Sequence, residues 1–157
     1  MRIIKPMTHA LQQAEKAFSE KEVPVGAVIV DVLSGKVIAT SYNQMRARMN
    51  PIAHAEILVI QQACLIKQKE RLEDCDIYVT LEPCPMCAQA ISFARLRRLY
   101  FGAYDPKGGG VDHGARIFNA PSCHHAPEII GGIEERQCAR LLLKFFEKLR
   151  SEYPEIC

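Results

Sequence analysis

Asp76-Ile77-Tyr78-Val79-Thr80-Leu81-Glu82-Pro83-Cys84-Pro85-Met86-Cys87 runs from a short apolar stretch straight into a pair of cysteines. Asp76 to Leu81 has the composition and length of a buried strand, and Pro85 suits the first position of a helix reaching about Ala94. The strand therefore ends at a helix entrance that carries both thiols. Cys84 and Cys87 stand three apart and are neighbours on one face, as two ligands of one ion must be. Thirty residues before Cys84 lies His54-Ala55-Glu56, expected in the first turns of another apolar helix. One histidine and two cysteines fill three of the four tetrahedral positions of Zn2+ and leave the last for a water, whose pKa the metal lowers to about 7. Glu56 is not needed as a ligand and is free to move protons. A lone Cys-x-x-Cys also suits a redox pair or half of a structural zinc knot, but a structural site closes with a fourth Cys or His and has no use for the glutamate.

Working outward, Ala10, Leu11, Ala14, Ala17 and Phe18 recur at helical spacing, which predicts a helix over about residues 8–21 opened by Thr8. Val25 to Val32 and Val37 to Tyr42 read as a hairpin turned at Ser34-Gly35. Asn50-Pro51 reads as an N-cap with proline in the first helical position, followed by a helix through Ile57, Leu58, Ile60 and Leu65. After the cysteine helix, Leu99 to Ala103 gives a strand, residues 104–127 are mostly loop with three consecutive glycines, and Glu128 to Ile130 forms a last short strand. Ile133, Cys138, Leu141, Leu142, Phe145 and Leu149 mark a long terminal helix. The order α-β-β-α-β-α-β-β-α fits an α/β fold, a mixed five-stranded sheet with helices on both faces, in a single domain spanning residues 1–157.

Positions two apart on an ideal helix point about 200° away from each other, so His54 and Glu56 cannot share a site on a helix flank. The site must lie off the helix end. There, first-turn side chains converge above the axis and the cysteine helix meets them from its own N-terminus. Two positive dipole ends then favour thiolates and negative charge at the metal.

The bulk composition narrows the function classes. With 48% hydrophobic and 24% charged residues the chain is neither disordered nor fibrous. It has no apolar run near the ~18 residues that span a bilayer and no secretory h-region at its start, so no membrane partner and a cytoplasmic location are expected. Seven cysteines, two of them in the metal motif, argue for a reducing compartment; Cys64 and Cys138 fall in apolar helical patterns as buried thiols, while Cys75, Cys123 and Cys157 have no assignment. A formal charge of +2 does not announce a nucleic-acid binder, so any RNA contact must come from a local patch. The densest basic cluster, Arg95, Arg97 and Arg98, reads as a solvated face or a dimer contact in preference to a grip on phosphate.

The His-x-Glu and Pro-Cys-x-x-Cys pair matches the signature of zinc nucleobase deaminases. Together with Glu22-Val23-Pro24-Val25-Gly26-Ala27-Val28, Tyr78 to Cys84 and Phe101-Gly102-Ala103-Tyr104-Asp105-Pro106-Lys107, it resembles the bacterial tRNA-specific adenosine deaminases over nearly the whole chain. That resemblance implies a cytidine-deaminase-like three-layer fold, one Zn2+ per chain on His54, Cys84 and Cys87, and hydrolytic conversion of the wobble adenosine (position 34) of an arginine tRNA to inosine. It implies that Glu56 takes the water proton, protonates a ring nitrogen and later delivers a proton to departing ammonia. It also implies that Asn43 hydrogen-bonds the flipped base, that Val25 and the backbone of Ala55 shape its pocket, that Asp105 meets a ribose hydroxyl and Lys107 a phosphate, and that a homodimer receives the anticodon stem-loop.

On residue type alone, Asn43 is also an ordinary turn residue, Asp105-Pro106-Lys107-Gly108 a plain turn and Phe145 a core residue. The chain departs from the family at Tyr104, where arginine or glutamine is common, and across Gly108 to Gly114 and Cys123-His124-His125. His113, Cys123, His124 and His125 could form a second metal site, though loop histidines near a polyanion need no metal. A deaminase of a free nucleobase or nucleoside shares the zinc chemistry and is the nearest alternative; a zinc-stabilised RNA-binding module would have no need of Glu56.

Overall fold

The computed structural model describes residues 5–156. Its elements are α1 (Pro6–Ser19), β1 (Gly26–Asp31), β2 (Lys36–Tyr42), α2 (Ala55–Lys67), β3 (Cys75–Leu81), α3 (Pro85–Phe93), β4 (Arg98–Ala103), β5 (Glu128–Ile130) and α4 (Glu135–Glu152), with a short 3-10 turn at Ile117–Asn119. The strands and α3 lie within a residue of the positions expected from the sequence.

Two helix starts differ from expectation. Helix α1 opens with Pro6 at its first turn after an extended Lys5, and Thr8 lies inside it. Proline lacks the N–H that a first-turn residue cannot use and has its φ preset, so Pro6 takes the entrance that the hydroxyl of Thr8 would otherwise mark. Helix α2 begins at Ala55, four residues beyond Pro51, and His54 is its N-cap. Asn50 instead closes a turn by accepting the Ile52 N–H at 3.1 Å.

The five strands lie in the order β2-β1-β3-β4-β5. β1 is antiparallel to β2 and β3, whereas β3, β4 and β5 run parallel. A parallel pair needs a crossover, and α3 supplies it between β3 and β4. Side chains alternate across the sheet. Ala27, Ile29, Ile77, Val79, Leu99 and Phe101 bury one face together with Ala55, Val59, Ala88 and Ile91 of α2 and α3. Val28 and Tyr78 face the other side, with Met7 and Ala10 of α1 and Cys138 of α4, and Ala103 at the end of β4 joins this second cluster. Cys138 is buried as expected, but Cys64 is only half-buried at the edge of the first cluster. Cys75 is buried and Cys123 half-buried; Cys157 lies outside the described residues.

Parallel strands β3 and β4 end side by side at Leu81 and Ala103, and the Glu82 N–H reaches the Ala103 carbonyl at 2.8 Å. Ligands of open α/β sheets bind beyond the carboxyl ends of such strands. Both Cys84 and Asp105 follow these ends within three residues.

Candidate active site

His54 and Cys84 are the N-caps of α2 and α3, each in extended backbone conformation, and Cys87 sits in the first turn of α3. Because His54 is not itself helical, the 200° separation that would part it from Glu56 does not apply. Nδ1 of His54 lies 3.7 Å from Sγ of Cys84 and 3.4 Å from Sγ of Cys87, and the three donor atoms fall within 4.8 Å of one another. The hydrogen bond from Cys87, helped by His54, pulls the Cys84 thiol down to about 4, and the same bond with burial pushes Cys87 up. Contact with Cys84 raises the His54 imidazole. Two thiols at the N-terminus of α3, facing an imidazole at the N-terminus of α2, present the donors that Zn2+ takes in place of protons. The set fits one zinc ion.

Glu56 follows in the first turn of α2 and is buried. Burial pushes its carboxyl up to about 7, against the pull of its own backbone N–H and of His54; a divalent cation alongside acts in the lowering direction. Asn43, 6% exposed, follows directly after β2. Its Oδ1 accepts the Ala55 N–H at 2.8 Å, capping α2 from another segment of the chain. Among the described residues nothing pairs with its Nδ2.

Val25, Asn43, His54, Glu56, Cys84 and Asp105 line one open cleft of about 230 Å3, completed by Val23, Met45, Leu81, Glu82 and Gly108. Cys87 and Ala55 are buried beneath it. Lys107 does not line this cleft; its side chain is exposed beside it, and its N–H is held by Oδ1 of Asp105 at 3.2 Å. Asp105 Oδ1 also accepts the Gly108 N–H at 2.9 Å, so Asp105 forms the turn that its residue type predicts and lines the cleft as well.

Residues 2–103 match the family model described as the cytidine and deoxycytidylate deaminase zinc-binding region. The chain is 54% identical to the tRNA-specific adenosine deaminase of Agrobacterium fabrum across 92% of this chain and 93% of that one. The chain belongs to the tRNA-specific adenosine deaminase family. The Bacillus subtilis member is 41% identical over 93% of this chain and 89% of its own length. A structure solved in a study of A-to-I editing by tRNA:A34 deaminases superposes with a TM-score of 0.85 at 53% identity, covering 87% of this chain and 98% of that one. Guanine deaminase from Nitrosomonas europaea shares the fold at a TM-score of 0.79 with 19% identity, over 92% of this chain and 86% of its own.

Two groups at the site go beyond the sequence reading, and both are buried carboxylates. Glu22, 2% exposed, accepts the N–H groups of Arg46 at 2.8 Å and Ala47 at 2.9 Å and so fixes the loop that carries Met45 to the cleft. Glu82, 1% exposed, accepts the N–H groups of Asp105, Val111, Asp112 and His113 and the Nδ1 of His113. Burial alone would raise the Glu82 carboxyl, but these donors, His113 foremost, hold it below its ordinary value. The signal in the sequence was an acidic residue inside an otherwise apolar strand end. Two of the three loop histidines are occupied, His113 by Glu82 and His125 by the Leu96 carbonyl at 2.7 Å, while His124 is exposed. The candidate metal groups among the described residues do not include them. Arg97 pairs with Asp76, Arg98 with Glu128 and Arg95 with the His124 carbonyl, which agrees with a structural reading of that basic cluster.

Proposed function

We propose that this chain converts adenosine to inosine at the wobble position of an arginine tRNA, taking the anticodon stem-loop as substrate. The observation that carries this reading is the single cleft that brings Glu56, Asn43 and Asp105 to the zinc donors, in a chain 54% identical to a tRNA-specific adenosine deaminase. The bound metal supplies Lewis acidity that generates a nucleophile from water at neutral pH. Every proton movement falls to Glu56. Its carboxylate takes one proton from the attacking water and passes it to the ring nitrogen next to the attacked carbon; it then takes the second from the hydroxyl now on that carbon and delivers it to the amino group, which leaves as ammonia as the C–N bond breaks. Burial raises the Glu56 carboxyl and a bound cation would lower it, opposing pulls that suit a group that both takes and gives a proton.

Asn43 presents Nδ2 to an acceptor on the extruded base while its Oδ1 remains on Ala55, so the amide is oriented before substrate arrives. Val25 and the Ala55 backbone form the pocket wall. Asp105 has Oδ1 committed to its turn, which leaves Oδ2 for the ribose 2′-hydroxyl, and Lys107 on the same turn faces phosphate. Extruding a base costs a few kcal/mol, which contacts to flanking nucleotides offset. The exposed apolar surface of α2 and α3, with Ile60 and a 73% exposed Phe93, supports a homodimer. No helix among the described residues is long and apolar enough to cross a membrane, and a cytoplasmic site of action accords with a tRNA substrate.

The test is a comparison of ammonia release from an arginine anticodon stem-loop with release from free adenosine, cytidine and guanine. Turnover on the stem-loop alone is expected. Turnover of a free base or nucleoside, with none on the stem-loop, overturns the substrate assignment.

A further inference from the structure

The run Gly108-Gly109-Gly110 and the following Val111-Asp112-His113 wrap around one carboxylate. Glu82 Oε1 accepts the Asp105 N–H at 3.1 Å and His113 Nδ1 at 2.8 Å; Oε2 accepts the N–H groups of Val111 at 3.3 Å, Asp112 at 3.1 Å and His113 at 3.1 Å. No lysine or arginine pairs with it among the described residues. All five partners are donors, so the site accepts an acceptor-only group. The glycines follow from this: a Cβ on Gly109 would stand 2.2 Å from Glu82 Oε2, and one on Gly110 would stand 2.5 Å from the Pro85 nitrogen, at the entrance of the cysteine helix. His113 also sets its ring edgewise on Tyr104, at 6.2 Å and 80°. Tyr104 and His113 are thus in contact with each other.

Glu82 lies two residues before Cys84, and the loop it gathers begins at Asp105. We propose that Glu82 is a positioning residue that locks the Asp105 to His113 loop to the Glu82-Pro83-Cys84 turn, with His113 as the loop's clasp, and so sets the register between the zinc donors and the groups that receive the RNA backbone. Although it borders the cleft, Glu82 is 1% exposed and both of its oxygens are committed to donors of this loop. It acts through Asp105, whose backbone it holds and whose side chain lines the cleft. The kinetic consequence rests on the proposed RNA reading; the mechanical one does not.

The test uses the full-length zinc-loaded protein and four variants. Glu82→Gln preserves size but turns an NH2 toward a cage of donors, so it should be as damaging as Glu82→Ala, whereas a residue that merely fills space would tolerate Gln. His113→Ala removes the clasp, and His113→Asn restores a donor near the position of Nδ1. Hydrogen exchange of the Val111, Asp112 and His113 amides should accelerate at least ~10-fold in Glu82→Gln and His113→Ala, and return to within ~3-fold of wild type in His113→Asn, since each lost bond is one to a charged acceptor. One zinc per chain should remain. On the stem-loop, KM should rise more than kcat falls. Unchanged exchange in Glu82→Gln, or equal impairment in His113→Ala and His113→Asn, overturns the proposal. If Glu82→Gln does not fold, the His113 pair decides. If the wild type does not act on the stem-loop, the substrate reading fails and exchange alone decides the role of Glu82.

Discussion

Asn43 combines two tasks that one pair of variants can separate. Its Oδ1 holds the Ala55 N–H at the start of α2, and its Nδ2 is proposed to meet the base. In Asn43→Ala the Ala55 N–H, at a residue with no exposed surface, loses its acceptor. An unsatisfied buried donor costs about 1–3 kcal/mol. For a chain of this size 1 kcal/mol corresponds to roughly 2–4 °C in Tm, so the drop should be about 2–12 °C. Asn43→Asp keeps an acceptor at a helix N-terminus, where negative charge is favoured, and should lie within about 1 kcal/mol of wild type. It nonetheless removes the donor. Differential scanning calorimetry should therefore rank wild type and Asn43→Asp together above Asn43→Ala, while stem-loop deamination should fall in both variants. An Asn43→Asp enzyme with wild-type kcat/KM would refute the base-recognition role, and an Asn43→Ala protein with unchanged Tm would refute the capping role.

Further expectations follow from the same geometry. Glu56→Ala should retain zinc and RNA affinity but lose about 10²–10⁴-fold in kcat, the range of general acid-base catalysis; elemental analysis, RNA binding and single-turnover rates check it. Substitution of His54, Cys84 or Cys87 should empty or strongly weaken the metal site, and the wild type should carry one zinc per chain; two tightly held ions would contradict the occupied state of His113 and His125. Lys67 lies 2.8 Å from both Asp31 and Asp74, and its hydrogen bond pulls the Asp31 carboxyl down to about 2 and Asp74 down as well. Carboxylates depressed on folding stabilise above their unfolded pKa of about 4 and lose that contribution as pH falls through the folded value. The Tm gap between wild type and Lys67→Met should therefore be present at pH 6 and shrink between about pH 4 and pH 2.

The zinc donors were legible in the sequence because ligand type and spacing are local chemistry: His54, Cys84 and Cys87 need only two helix entrances to meet. The strands were legible for the same reason, since β-branched runs such as Val28 to Val30 declare themselves. The start of α2 was not. Asn50-Pro51 satisfies every local rule for opening a helix, but the preceding loop is set by Glu22, which takes the N–H groups of Arg46 and Ala47 from more than twenty residues away. Glu82 escaped notice on similar grounds. Its five donors come from residues 105–113, so the reason for its burial exists only once β3 and β4 lie side by side. Asp105 suits both a turn and a ribose contact, and its two oxygens make these compatible, since Oδ1 alone takes the turn N–H groups.

The most direct measurement is position-resolved detection of inosine in an intact arginine tRNA transcript incubated with the purified zinc-loaded protein, alongside Glu56→Ala. Inosine at the wobble position alone, formed by the wild type and absent with Glu56→Ala, is the predicted result. An unmodified wobble adenosine, or equal conversion by the Glu56→Ala variant, would contradict it.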